Sequence, residues 1–184
     1  MNSSITVTKI EAAHRQLRTA IELWFADGDP ISIHTLAAAS HQVIHDLNKR
    51  SNGPDLLLDT RFIKDEYRKE FAADIKHASN FMKHADKDKG GAAAALEFMP
   101  ESNDNFISFS IFGLGYLGEK LGAEEIAFER WHTFRNPNLM TDAGKALFEQ
   151  SFTTAQVEML RSIQKHKFLE AFRLAVRQSN AQQR

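Results

Sequence analysis

Residues 78–88, "ASNFMKHADKD", combine side chains that could perform acid–base chemistry beside a phosphate group. Asn80 and His84 are four positions apart, so they share a face if the segment is helical, with Lys83 beside them. An imidazole can donate or accept a proton near neutral pH, and an ammonium can stabilise a developing negative charge. The pattern predicts a site in which His84 is the acid or base, Asn80 orients it and Lys83 contacts phosphate, with Asp86 nearby. Metal-independent RNA cleavage by the 2′-hydroxyl fits these parts, and so does binding of another phosphate-bearing ligand.

The same stretch also has a purely structural interpretation. "KHADKDKGG" is typical of a charged helix end, where Lys83 and His84 would complement the negative end of the helix dipole. The sequence leaves both interpretations open.

The segment "SNFMKH" resembles the helical motif of HEPN-domain proteins, whose pattern is Arg, a polar residue that is commonly Asn, three variable residues, then His. Asn80 and His84 occupy the Asn and His places, whereas Ser79 stands where the Arg belongs. The resemblance implies an all-α homodimer that acts on RNA, with the His84-bearing helices lining a shared groove. Arg15, Arg18 or Lys83 would then supply the missing cation. The chain also resembles a group of bacterial proteins with "IHTLAAA" and "NFxKHAD"-like segments, which implies no particular activity.

A second candidate site lies in "ISIHTLAAASHQVIHDL", where three histidines form one helical stripe. His41 and His45 are four apart, the spacing for two ligands to one ion, and His34 lies seven positions before His41, outside this pair. A divalent transition metal at His41 and His45 would need a further ligand, for which His84, Asp86 and Glu66 are candidates. The alternative is that these histidines are hydrogen-bonded across a helical bundle or exposed.

Other motifs give less indication of chemistry. The stretch "GLGYLG" has the Gly-x-Gly-x-x-Gly spacing, but no strand–helix–strand unit surrounds it, so we expect its glycines to allow close helix packing. There is no Gly-x-Ser-x-Gly elbow, so no motif indicates a serine hydrolase.

Composition excludes several classes of function. The chain of 184 residues contains no cysteine, which rules out disulfide frameworks, thiolate metal sites and cysteine nucleophiles. Its net charge of −1 gives no global attraction to nucleic acid or anionic membranes. The most basic segment is C-terminal, with Arg161, Lys165, Lys167, Arg173 and Arg177. No signal peptide or membrane-spanning stretch is visible, so we expect a cytoplasmic protein without membrane contact.

Helical signals run along the whole chain. A Thr8–Glu11 capping box opens a helix that we expect Gly28 to end in a left-handed conformation, and Asp29-Pro30 opens a second helix, about 30–49. A third helix begins near 62–64 and runs into residues 78–88. Residues 103–105 are predicted to cap a buried helix, 123–135 form another, and "TTAQ" opens a long helix from 153 to about 178.

The pattern predicts an all-α bundle of five to seven helices in one domain, 1–184, with residues 179–184 as a frayed tail. Three functional hypotheses remain open: a HEPN-like RNA-cleaving or RNA-binding protein with no cofactor, a histidine-based metal-binding bundle, and a non-enzymatic interaction or regulatory protein.

Overall fold

The computed structural model describes residues 4–60, 63–84, 90–136, 138 and 140–182, apart from the side chains of 148, 149, 151, 180 and 182. It contains eight α-helices in the described residues and no strand, which confirms the all-α prediction. The helices are α1 (Lys9–Phe25), α2 (Pro30–Arg50), α3 (Asp65–Phe81), α4 (Ser102–Tyr116), α5 (Ala123–Arg135), α6 (Asp142–Ser151), α7 (Thr154–Ser162) and α8 (Lys165–Gln182). None of the helices in the described part is long and apolar enough to cross a membrane.

Contacts divide the chain into two compact units. Unit 1 consists of residues 1–24 and 28–120, and unit 2 of residues 25–27 and 121–184. The prediction of a single domain therefore stays a prediction, and the two units are described separately.

Local capping signals fix the first helices of unit 1. The Thr8 N–H donates to Glu11 Oε2 at 2.8 Å, and the Glu11 N–H donates to Thr8 Oγ1 at 3.2 Å, which completes the predicted capping box. Asp29 Oδ2 accepts the Ser32 N–H at 2.7 Å and caps α2. The bonds from the Glu11 and Ser32 N–H groups satisfy helix donors that have no partner within the helix.

The end of α1 differs from the prediction by one residue. Asp27, and not Gly28, has the left-handed conformation, with φ of 50°. The Gly28 N–H donates back to the Leu23 carbonyl at 2.8 Å. This is the long bond of a Schellman motif, in which Gly28 directly follows the left-handed residue Asp27. A Cβ at Gly28 would lie 3.1 Å from the same carbonyl oxygen, which explains why glycine suits this position.

Unit 1 is centred on the packing of α2 against α4. Ile44, Ile107 and Leu114 are fully buried. A Cβ at Gly113 would lie 2.5 Å from Ile44 Cγ2, so the absence of a side chain lets α2 and α4 approach closely. The expectation that this glycine-rich stretch allows close helix packing is confirmed at Gly113.

Unit 2 has an aromatic core formed by Phe25, Trp131, Phe134 and Phe168, whose exposure is 1–6 %. The ring centroids of Trp131 and Phe168 are 5.2 Å apart, and those of Phe25 and Phe168 are 6.2 Å apart. Edge-on and offset contacts of this kind favour one arrangement of the rings over others.

The predicted long helix from 153 to about 178 is wrong. The "TTAQ" capping box forms, but α7 ends at Ser162, and Ile163 has extended backbone with ψ of 139°. The break lets both α7 and α8 pack on α5, with Phe168 buried and Arg161 Nε bonded to the Phe134 carbonyl at 3.1 Å. Since α6 was also not predicted, the structure has more helices than the five to seven expected; α8 continues to Gln182.

The basic C-terminal segment is partly neutralised by acids within unit 2. Arg173 pairs with Glu124 at 2.7 Å, and Lys165 pairs with Asp27 at 2.9 Å. These contacts give two of its five cations an acidic partner.

Candidate functional site

The predicted cluster of Asn80, Lys83 and His84 lies at the C-terminal end of α3. Asn80 is in the last turn, and the backbone N–H groups of Lys83 and His84 both bond to its carbonyl, at 3.1 and 3.0 Å. Asn80 and Lys83 are exposed and His84 is half-buried. Within the described part of the chain, none of the three makes a side-chain hydrogen bond. The geometry matches the helix-end interpretation, the catalytic role stays a prediction, and Asp86 lies outside the described residues.

Ser79, the residue in the place of the HEPN arginine, has a different partner from any that the sequence indicates. Its hydroxyl oxygen lies 3.1 Å from His34 Nε2. On the other side of the same ring, His34 Nδ1 lies 2.9 Å from Asn103 Oδ1. Helices α2, α3 and α4 therefore meet in a chain of three side chains, Ser79–His34–Asn103.

The direction of these bonds follows from Asn103. Its Nδ2 donates to the Pro30 carbonyl at 3.1 Å, which turns its Oδ1 towards His34. Nδ1 of His34 must then carry the proton, because Oδ1 can only accept. Nε2 is left with a lone pair, which accepts the hydroxyl proton of Ser79. Asn103 was expected to cap α4, but α4 begins at Ser102 and Asn103 is buried inside it.

The environment keeps the His34 imidazole neutral. The side chain is 1 % exposed, and Phe98 and Phe106 meet its ring edge-on with centroids 4.9 and 5.0 Å away. Burial lowers the pKa of His34; the hydrogen bond to Asn103 opposes this effect, and the nearby Lys83 ammonium adds to it. Because the charged form is disfavoured, Nε2 stays an acceptor at neutral pH.

His34 also lines a pocket of about 560 Å³ in unit 1. Its walls come from α2, α3, the start of α4 and residues 96–99. Most of the lining is apolar: Leu57, Phe71, Ile75, Ala78, Leu96, Phe98, Met99 and Phe106. The volume falls within the range of about 300–1,000 Å³ that is usual for small-molecule sites.

The charged groups of the pocket are of one sign. Asp74, Glu97 and Glu101 line it and are exposed, and the described lining contains no lysine or arginine. Besides these three acids, His34 and His77 are the titratable side chains among the described lining residues. The pocket therefore presents a negative potential to an approaching molecule.

His41 and His45, the predicted metal ligands, are directed to other partners. Ser110 donates its hydroxyl to the Phe106 carbonyl at 2.6 Å, so its oxygen accepts from His41 Nδ1 at 3.3 Å. His45 Nε2 lies 3.0 Å from Asp59 Oδ1, and its Nδ1 lies 3.3 Å from Asp46.

Burial and hydrogen bonds shift the pKa values of His41 and Asp59. Burial, aided by His45, lowers the pKa of His41 to about 3. Burial raises the pKa of Asp59, but hydrogen bonds from the Leu56 N–H and His45 outweigh it and the net shift is downward. No group of three or more His, Asp or Glu side chains in the described residues is arranged to hold a metal ion. The metal hypothesis stays a prediction that would require these side chains to change partners.

No family model, curated protein or solved structure matches this chain. The resemblance to HEPN-domain proteins therefore stays a prediction. The arguments about function that follow rest on the site itself.

Proposed function

We propose that unit 1 binds a small amphipathic cation, a molecule with an apolar body and one ammonium group, in the pocket beside His34. The observation that carries this proposal is a mostly apolar cavity of about 560 Å³ whose charged lining residues, among those that the structure describes, are Asp74, Glu97 and Glu101. The volume and the mostly apolar lining of this pocket are typical of small-molecule sites.

The packing of α3 supports an occupant. None of its seventeen residues is buried, although Phe71, Ile75 and Ala78 form an apolar stripe along it. An amphipathic helix normally gains its stability by burying such a stripe. Here the stripe faces the pocket, so an apolar ligand would remove it from water and stabilise α3 against α2 and α4.

The charge of the ligand follows from the acids. Two unit charges of opposite sign that lie 4 Å apart attract each other by about 1 kcal/mol even in bulk water, and by more where water is partly excluded. An ammonium near Glu97 and Glu101 would gain this energy, and a carboxylate or phosphate would be repelled. Phe71 and Phe98 also line the pocket, and the face of an aromatic ring attracts an ammonium.

The RNA hypothesis concerns a different surface. Asn80, Lys83 and His84 do not line the pocket. An RNA strand could contact them without entering the cavity, whose acids repel phosphate. Binding of a small cation and action on RNA are therefore tested independently.

A head-group series tests the proposal. Decylamine, decanol and decanoate, each below its micelle concentration, are titrated into the protein at neutral pH by calorimetry. We expect saturable binding with decylamine tightest and decanoate at least about tenfold weaker, from a difference of roughly 1.4 kcal/mol or more. In the double variant Glu97→Gln, Glu101→Gln this preference should fall about tenfold.

Glu70→Gln is the matched control, since Glu70 is an exposed acid of α3 outside the pocket lining. It should leave the preference unchanged. Equal affinity for the three head groups in the parent protein would contradict a cation site, and no saturable binding of any of them would remove the pocket as a ligand site.

A further inference from the structure

We infer that His77 is a proton switch in the unit 1 pocket: when its imidazole takes up a proton, the pocket releases its cationic ligand. The inference rests on the proposed function, because the ligand is the amphipathic cation described above. It goes beyond binding by assigning the residue that makes the affinity depend on pH and the direction of that dependence.

His77 lies among the acids that would attract the ligand. It lines the pocket together with Asp74, Glu97 and Glu101, and its side chain is exposed. Asp74 and His77 are three positions apart on α3, so they are neighbours on one helix face. The His77 ring also stacks with that of Phe81, with centroids 6.4 Å apart, which restrains the imidazole. A charge on His77 would therefore act on the same space as the three carboxylates.

The described lining gains its positive charge at His77 when the pH falls. An imidazole in water ordinarily gains its proton between about pH 8 and 5, whereas carboxyl groups ordinarily stay ionised down to about pH 4. The other lining histidine, His34, is buried, and burial lowers its pKa, so it takes up a proton only at a lower pH. Lys83, whose charge acts on His34, does not line the pocket, and the described lining contains no lysine or arginine.

Protonation of His77 would weaken the attraction for an ammonium in two ways. The imidazolium repels the ammonium of the ligand directly, and it offers Asp74 an opposite charge on its own helix, which partly neutralises one of the acids. Two like charges about 4 Å apart in water lower an affinity by about fivefold, since they repel each other by about 1 kcal/mol. Burial of the apolar body of the ligand does not depend on this charge, so the pocket should retain an uncharged ligand.

The coupling between proton and ligand acts in both directions. Because a proton on His77 disfavours the ligand, a bound ligand disfavours that proton by the same free energy. Binding near about pH 6.5, where an ordinary imidazole is half protonated, should therefore release a fraction of a proton to the buffer. The pocket would hold an amphipathic amine at neutral pH and release it in mild acid.

Calorimetric titration of decylamine at about pH 7.5 and about pH 5.5 tests the switch on the full chain, with decanol as the uncharged probe. Decylamine keeps its charge at both pH values, because alkylammonium groups have a pKa of about 10. We expect decylamine to bind about fivefold more weakly at the lower pH and decanol to bind equally at both. Equal affinity for decylamine at both pH values, or an equal loss for decanol, would overturn the inference.

Two substitutions fix the charge at this position. His77→Gln keeps a neutral polar side chain and should bind decylamine at both pH values as tightly as the parent does at the higher one. His77→Lys keeps a cation there and should bind about fivefold more weakly at both. His166→Gln removes an exposed histidine of unit 2 and should retain the pH dependence of the parent. A pH dependence that survives in His77→Gln would overturn the switch.

Proton release gives a second readout of the same coupling. Titrations near about pH 6.5 in two buffers of different enthalpy of ionisation measure it, and it should occur in the parent and be absent from His77→Gln. Equal proton release by the two proteins would contradict the role of His77.

The same titrations separate this inference from the proposed function. Saturable binding of decylamine at the higher pH with no loss at the lower pH would overturn the switch and leave the cationic site standing. No saturable binding at the higher pH would overturn the cationic site and the switch with it.

Discussion

Asn103 Oδ1 and His34 Nδ1 lie 2.9 Å apart although the two residues are 69 positions apart in the sequence. Both side chains are 1 % exposed. The bond joins the first turn of α4 to the first turns of α2, and Asn103 strengthens the junction by donating to the Pro30 carbonyl at 3.1 Å. It therefore fixes the position and the tautomer of His34, which lines the pocket.

Asn103→Ala should lower the free energy of unfolding by about 2–4 kcal/mol. The change removes two hydrogen bonds, at about 0.5–1.5 kcal/mol each, and leaves a buried N–H of His34 without its partner, at about 1–3 kcal/mol. Urea unfolding measures the loss. Asn80→Ala is the control, because Asn80 is exposed, and it should change the free energy by less than about 0.5 kcal/mol. Equal effects of the two substitutions would show that Asn103 does not hold this junction.

Stability should fall as the pH drops from 7 to 5. Burial lowers the pKa of His41 to about 3 and also lowers that of His34, whereas both groups titrate near 6.5 in the unfolded chain. The unfolded state therefore binds more protons in this range, and each histidine contributes a slope of up to about 1.4 kcal/mol per pH unit. For His41 the contribution is complete above about 6.5 and is lost progressively towards pH 3.

Urea unfolding at pH 7, 6 and 5 measures this slope, in a range above that of ordinary carboxyl groups. His166→Gln removes an exposed histidine of α8 and should leave the slope unchanged. A free energy of unfolding that is flat between pH 7 and 5 would contradict neutral, enclosed His34 and His41.

The RNA hypothesis predicts that chelator-treated parent protein cleaves mixed RNA and that His84→Ala does not. His84 would act as the acid or base and Lys83 would contact phosphate, so Lys83→Met should also reduce cleavage. Decylamine binding should survive His84→Ala, since His84 does not line the pocket. Absence of cleavage by the parent would assign "KHAD" to the helix end alone.

Phe168→Ala should destabilise unit 2 by about 3–5 kcal/mol, the usual cost of removing a buried phenyl ring. The ring is 5 % exposed and contacts Phe25, Trp131 and Phe134. Leu174→Ala removes a side chain of the same helix that is 56 % exposed and should cost far less. Thermal unfolding followed by tryptophan fluorescence, which reports on Trp131 in unit 2 and on Trp24 in unit 1, would detect the difference in the unit 2 transition; similar midpoints for the two variants would refute this core.

The elements that could be predicted are those fixed by neighbours in the sequence. The capping boxes at Thr8 and Thr153 and the Asp29 cap depend on residues three positions apart, and each forms as expected. The break at Ile163 depends instead on the packing of Phe168 and Arg161 against α5. No proline or glycine marks it, so the local pattern gave no indication of it.

The candidate site, too, could be predicted only where it depends on residues close together in the sequence. The stripe of His34, His41 and His45 was visible from helical spacing, and hydrogen bonding across the bundle was one of its two interpretations. The partners themselves come from 45 and 69 positions away, as Ser79 and Asn103. The chain of Ser79, His34 and Asn103 is assembled from three helices, so no short segment of the sequence carries it. The pocket acids are likewise spread over α3 and residues 97–101.

Decylamine binding to parent protein, Ala78→Phe and Ala73→Phe tests the central claim most directly. Ala78 lines the pocket and Ala73 is exposed on the same helix, so both substitutions carry a similar helix propensity cost and only one fills the cavity. The account predicts saturable binding by the parent and Ala73→Phe, and at least about tenfold weaker binding by Ala78→Phe. Equal affinity in all three proteins would contradict a ligand site beside His34.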